Sequence, residues 1–192
     1  VASGSALAIN TTTVTMSGKI ELDSDIKTVN LANTGTSTIG ALDAPAMTTL
    51  NISGTGIVTI SALTNSTAVT QITSTNTGGA VLSAALGTGI TFTGGDGADN
   101  IELGATTKAI TMGAGNDTVE LTSGVTALGT GGSIDAGLGT DTLFFAASAD
   151  AATATATGTF QDSISGFEAL KMGALTADRS VNLDLLDDIN TV

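Results

Sequence analysis

Cysteine and histidine are both absent from the 192 residues. Disulfides, zinc sites built on Cys or His, and His-based acid–base catalysis are therefore excluded. Tryptophan and tyrosine are missing too, which leaves five Phe as the only aromatic side chains. A core must then be assembled from Ala, Val, Ile and Leu, a supply that suits thin stacked layers better than a thick globular interior. Basic residues are scarce: 5 Lys and Arg stand against 18 Asp and Glu, a formal net charge of −13. Neutralising a phosphate backbone takes Lys and Arg in number, so nucleic acid is not an expected partner. No apolar run reaches the length of a membrane-spanning helix, and no transmembrane segment is expected. The chain starts at Val1 without a signal peptide and reads as a piece of a longer protein.

What the sequence does have is 25 Gly and abundant Thr and Ser, a composition for short strands and turns rather than helices. It also repeats. Thr28-Val29-Asn30-Leu31 aligns with Thr49-Leu50-Asn51-Ile52 and with Gln71-Ile72-Thr73-Ser74, at steps of twenty-one and then twenty-two positions. Ile39, Ile60 and Leu82 keep the same two steps on a second track. A unit of this size cannot bury its apolar side alone, so the units are expected to stack as rungs of a parallel β-solenoid. The alternation Val14-Thr15-Met16 and Ile20-Glu21-Leu22 predicts a first strand or rung before them.

Farther on the period shortens. Ile101, Ile110 and Val119 follow one another at steps of nine, as do Ile134 and Leu143. The longer step from Val119 to Ile134 reads as nine plus an insertion of six near Leu121–Thr126. Residues 146–158 are low in complexity and predict a loop or irregular crossover. Beyond them, Ser163–Met172 and Val181–Leu186 regain β character, although Leu183–Asp188 also fits one helical turn. The expected fold is all-β, a parallel β-solenoid over 1–93 leading into a tighter β-roll of nine-residue period over 94–145. A loop and β cap over 146–192 would continue into a larger parent protein.

The short-period region carries the chemistry. Gly94-Gly95-Asp96-Gly97-Ala98-Asp99-Asn100-Ile101-Glu102 fits the nonapeptide G-G-x-G-x-D-x-U-x throughout. Met112-Gly113-Ala114-Gly115-Asn116-Asp117-Thr118-Val119-Glu120 fits with Met first, and Ala136-Gly137-Leu138-Gly139-Thr140-Asp141-Thr142-Leu143-Phe144 with Ala first. Glycine admits backbone conformations that turn carbonyl oxygens inward. The Asp supplies a hard anionic oxygen of the kind calcium prefers, and the next apolar residue starts a strand. Asp99 and Asp117 are separated by two nonapeptides, one full coil, and so stack on one side. The nonapeptide between them places Lys108 where Asp would sit, so the opposite turn is expected to bind no metal. With the insertion bulging from that opposite side, Asp141 joins the same column. Three stacked turns then sandwich two calcium ions (Ca2+).

These turns resemble the RTX (repeats-in-toxin) family β-roll. The stretches Thr48–Gly54, Phe92–Gly95 and Gly104–Ile110 resemble its surface-layer members in particular. In that family the first four carbonyls of each turn and its Asp are ligands. The resemblance implies Gly94, Gly95, Asp96, Gly97 and Asp99, then Met112, Gly113, Ala114, Gly115 and Asp117, then Ala136, Gly137, Leu138, Gly139 and Asp141. Met112 and Ala136 offer carbonyls only if φ there is negative. The resemblance further implies type I secretion to the bacterial cell surface, and self-association into a calcium-dependent surface lattice. Contact with outer-membrane polysaccharide would run through another part of the parent chain. An RTX adhesin, or the calcium roll of a secreted hydrolase, is the alternative.

The remaining acidic residues carry weaker signals. Glu102 and Glu120 alternate outward and read as solvated face. Asp162–Leu170 resembles the segment that follows RTX rolls, with Phe167 and Leu170 covering the open end of the stack. Asp184, Asp187 and Asp188 read as a capped helix start rather than a further calcium site. Asp23, Asp25 and Asp43 lie near rung turns, where additional weak calcium binding is left open. Paired carboxylates alone can hydrolyse glycosides, and parallel β-solenoids host polysaccharide-cleaving enzymes. Such sites need aromatic platforms and basic residues, so catalysis is not expected here.

Overall fold

In the computed structural model, which describes residues 4–187 and 189–192, successive strands form rungs that alternate between two sheets. The rungs are β1 (Ser5–Thr11) with β2 (Thr15–Glu21), β3 (Ile26–Asn33) with β4 (Ser37–Asp43), and β5 (Thr49–Gly54) with β6 (Val58–Ile60) and the short β7 (Leu63–Thr64). They continue as β8 (Gln71–Ser74) with β9 (Ala80–Leu86), β10 (Thr91–Thr93) with β11 (Asn100–Leu103), and β12 (Ala109–Thr111) with β13 (Thr118–Leu121). The last are β14 (Ser133–Asp135) with β15 (Thr142–Phe145), and β16 (Ile164–Ser165) with β17 (Ala169–Met172). The first member of each rung adds to an eight-stranded sheet and the second to a nine-stranded sheet. Every pairing is parallel, so the chain is a parallel β-solenoid.

The two repeat tracks are the registers of the two sheets. Val29 pairs with Leu50 and Leu50 with Ile72, and the ladder runs on through Phe92, Ile110 and Ile134 to Ile164. On the other sheet Ile39 pairs with Ile60 and Ile60 with Leu82. That ladder continues through Ile101, Val119 and Leu143 to Leu170. All these side chains are buried between the sheets. Mostly aliphatic side chains, with Phe92 among them, fill this narrow core, each flanked along its ladder by the neighbours above and below. Both sheets run unbroken across residue 94, where the period shortens. The extra residues after Val119 lie in 122–132, the loop between β13 and β14 on the side opposite the Gly-Asp turns, and Leu121 itself belongs to β13.

Two local expectations are corrected. Within 146–158 the chain forms α1 (Ser148–Ala154), not an irregular loop, and packs Ala151 and Ala154 into the core beside β15. Alanine is the strongest helix former, and tertiary packing supports so short a helix. Val181–Leu186 forms no strand. Leu183–Leu185 is a 3-10 turn opened by Asn182, whose side chain accepts the Asp184 amide. Ser163–Met172 divides into β16 and β17 at Gly166 (φ +78°). No helix among the described residues is long and apolar enough to cross a membrane.

Candidate metal centre

Wherever the chain passes from the first sheet to the second it makes a corner, and these corners stack along the solenoid. The residue two before each apolar rung residue of the second sheet lies inside the corner. Read along the stack these are Ser37, Val58, Ala80, Asp99, Asp117, Asp141 and Glu168. The column is small or apolar as far as Ala80 and acidic thereafter. Asp99 and Asp117 are 1% exposed and Asp141 0%.

Each of the three aspartates uses one oxygen in the same way. Oδ1 of Asp99 accepts the Ala80 amide at 2.6 Å, Oδ1 of Asp117 the Asp99 amide at 2.7 Å, and Oδ1 of Asp141 the Asp117 amide at 2.7 Å. The second oxygen, Oδ2, is buried in all three and has no hydrogen-bond partner. Nor is there a cation beside it, because the only ion pairs among the described residues are those of Lys19. A buried carboxylate without a compensating donor or charge is costly.

That cost shows in the proton affinities. Burial pushes the Asp99 carboxyl up to about 6, opposed by the amides of Ala80 and Gly95 and the side chain of Ser74. Neither Gly95 nor Ser74 reaches hydrogen-bonding geometry with Oδ2. Burial pushes Asp117 up to about 7; the Asp99 amide opposes this, and the charges of Asp99 and Asp141 add to it. Asp141 is also raised, first by burial, with the charge of Glu168 contributing.

The turns bring carbonyls to the same corner. Gly113, Gly115, Gly137 and Gly139 have φ of 100°, 132°, 93° and 154°, backbone that suits glycine and re-aims the carbonyls. Ala114 and Leu138 form a parallel bridge between the second and third turns. Gly95 and Gly113 accept the amides of Ala114 and Leu138 through their carbonyls, which keep a second lone pair. Met112 and Ala136 are not at positive φ, so the negative φ their carbonyls need in order to serve is met. In the first turn Gly94, Gly95 and Gly97 are not at positive φ. There the need is space: a Cβ on Gly94 would fall against the Met112 carbonyl oxygen and 2.6 Å from Asp99 Oδ2. Those two oxygens therefore flank one point between the first and second turns. Asp96 and Leu138 have exposed side chains, which leaves only their backbone to take part in the corner, and the Leu138 carbonyl already accepts the Gly115 amide.

Upstream the same corner needs no cation. Asn33 and Asn76 are both 0% exposed. Asn33 Nδ2 donates to the carbonyls of Gly56 at 2.8 Å and Ile57 at 3.0 Å, and Asn76 Nδ2 to Gly56 at 2.7 Å and Gly79 at 3.1 Å. Side-chain amides thus cover backbone carbonyls of the upstream corner, where the later turns carry carboxylates instead. The sequence reading missed both Asn residues, although each follows a stacked apolar residue (Val29, Ile72) by four. It also missed Glu168 as a member of the column, although Glu168-Ala169-Leu170 repeats the acid, spacer, apolar order.

Several of the other acidic residues have partners or exposure of their own. Asp43 takes Lys19 Nζ at 3.1 Å and Asn65 Nδ2 at 3.0 Å, and these bonds hold its carboxyl below the ordinary value. Asp23 accepts the Asp25 amide in an exposed turn. Asp187 accepts the Phe167 amide, and Asp188 lies outside the described residues. Glu102 and Glu120 are cross-strand neighbours on the outer face of the second sheet. In the Lys108 turn the buried Thr106 hydroxyl accepts the Lys108 amide at 3.1 Å and the ammonium is exposed. No three Asp or Glu side chains converge on one point among the described residues. The aspartates are instead spaced one per rung, so a cation here would need carbonyls to complete its shell. Buried, partnerless carboxylate oxygens, that of Asp99 with the Met112 carbonyl beside it, are hard-oxygen donors of the kind that fits calcium. No protein-family model matches the chain, and no curated protein matches it.

Proposed function

We propose that this chain is a structural, calcium-binding module of a secreted bacterial surface-layer protein, without a catalytic role. The reading rests above all on the three buried Oδ2 atoms of Asp99, Asp117 and Asp141, each without donor or cation. Calcium would be held by these carboxylates with carbonyls of the turns 94–97, 112–115 and 136–139, and would supply the positive charge the corner lacks. Ligand that binds only the folded chain drives folding, by about 2.7 kcal/mol per site at a hundredfold excess over Kd. Calcium is scarce inside cells and abundant outside, so the acidic roll would stay open before export and close after it. The surface-layer assignment rests on the RTX resemblance of the turns, and self-association into a lattice belongs to it.

Circular dichroism in calcium and in excess chelator tests the calcium reading. The expected result is loss of β signal and a lower melting temperature in chelator, recovered when calcium is restored. Unchanged spectra and melting would refute it. Electron microscopy of the full-length protein with calcium tests the assembly reading. Ordered sheets are expected, whereas dispersed rods or fibres would point to an adhesin.

A further inference from the structure

Two hydrogen-bond series run along the acidic corner, and neither stops at the third turn. In the first, the opening amide of one turn donates to the strand end of the next: Gly94 to Thr111 at 2.7 Å, Met112 to Asp135 at 2.8 Å, and Ala136 to Ser165 at 2.8 Å. In the second, the amide of each column residue donates to the next carboxylate: Ala80 to Asp99, Asp99 to Asp117, Asp117 to Asp141, and Asp141 to Glu168 Oε2 at 2.7 Å. Glu168 thus stands to Asp141 as Asp141 stands to Asp117. Its turn is three residues shorter than the Gly-Asp turns, and the extra methylene of Glu spans part of that deficit. Gly166 lies directly on the third turn, since a Cβ there would come within 2.7 Å of the Gly137 amide nitrogen.

The count of unsatisfied oxygens agrees with this. Three aspartates each leave one buried oxygen unpartnered, yet three Gly-Asp turns enclose only two gaps. Asp99 Oδ2 shares its gap with the Met112 carbonyl of the following turn. On that pattern the gap belonging to Asp141 lies between the third turn and the segment Ser165–Glu168. Among the described residues no basic side chain pairs with Asp141 or Glu168: the nearby Lys171 ammonium sits 4.1 Å over the Phe144 ring.

We propose a third divalent-cation site at the C-terminal end of the row, between Asp141 and Glu168, with Glu168 as a ligand that the nonapeptide pattern does not contain. The inference rests on the calcium reading of the three turns. Because Glu168 is partly exposed and the three aspartates are not, this ion is the weakest of the row.

Native mass spectrometry and calorimetric titration with calcium, on the full chain and on Glu168→Gln, test it. Gln keeps the oxygen that accepts the Asp141 amide and removes only the charge, and Glu168→Asp keeps the charge but withdraws it by one methylene. The expected result is three ions for the parent chain and two for each variant, with the two tighter affinities changed by less than about twofold. Two ions in all three proteins would overturn this site and leave the calcium reading standing. No binding by any of them would overturn both.

Discussion

Asn76 and Asp117 meet the same problem at the same corner of the solenoid, with opposite chemistry. Backbone carbonyls withdrawn from water need a donor or a cation. Asn76 provides its own amide protons, whereas Asp117 adds a buried negative oxygen that deepens the need. Asp117→Asn should therefore act with opposite signs in the two conditions. The amide keeps an oxygen for the Asp99 N–H and turns the partnerless oxygen into a donor. In chelator, relieving the buried carboxylate is expected to stabilise the chain by about 1–3 kcal/mol. At about 2–4 °C per kcal/mol for a chain of this size, that is a readable rise in melting temperature. In calcium the same change would, on the calcium reading, remove a ligand from the middle of the row. Affinity is expected to fall by about tenfold or more, and the melting temperature to drop below that of the parent. Scanning calorimetry in both buffers decides it: shifts of the same sign would mean that the Asp117 carboxylate is not a ligand.

At the scale of strands and turns, most of the architecture was open to reading because a solenoid writes its register into its period. Two tracks sharing one pair of steps named the pairs Val29–Leu50–Ile72 and Ile39–Ile60–Leu82 that the sheets form. Likewise, the nonapeptide spacing placed Asp99, Asp117 and Asp141 in one column. The Ala/Thr run before residue 158 has no periodicity that distinguishes a loop from α1, whose place depends on burying Ala151 and Ala154 against β15. The Asn33 and Asn76 bonds depend on which carbonyls face inward, and Glu168 was hidden by a shortened turn. Stacked rungs contact only their neighbours, so damage should stay local. Leu50→Ala in β5, well upstream of the first Gly-Asp turn in stacking order, is expected to cost about 2–5 kcal/mol. Urea unfolding with and without calcium should give the same decrement. A loss seen only in chelator would mean that the calcium row supports the entire stack rather than its own rungs.

For the whole molecule, the acidic corner and the formal net charge of −13 set a dependence on pH that calcium should reverse. Without metal, the folded chain holds the Asp99 proton up to about pH 6 and the Asp117 proton to about pH 7, against an ordinary 3.8. Asp141 is raised in the same sense. The folded state therefore binds more protons than the unfolded state between about pH 4 and 7. The contribution of these groups to stability is fully present below pH 4 and is lost as the pH rises through the folded values. Repulsion among the remaining carboxylates, growing as they ionise, works in the same direction. With calcium the balance inverts, because protons and metal compete for the same oxygens and the metal-bound carboxylates are ionised. Stability then rises across that interval as the ion displaces the proton. Melting temperatures measured from pH 4 to 8 should fall in chelator and climb in saturating calcium, the two curves diverging towards neutrality. A chelator curve that climbs in parallel with the calcium curve would show that the buried column is not what senses the ion.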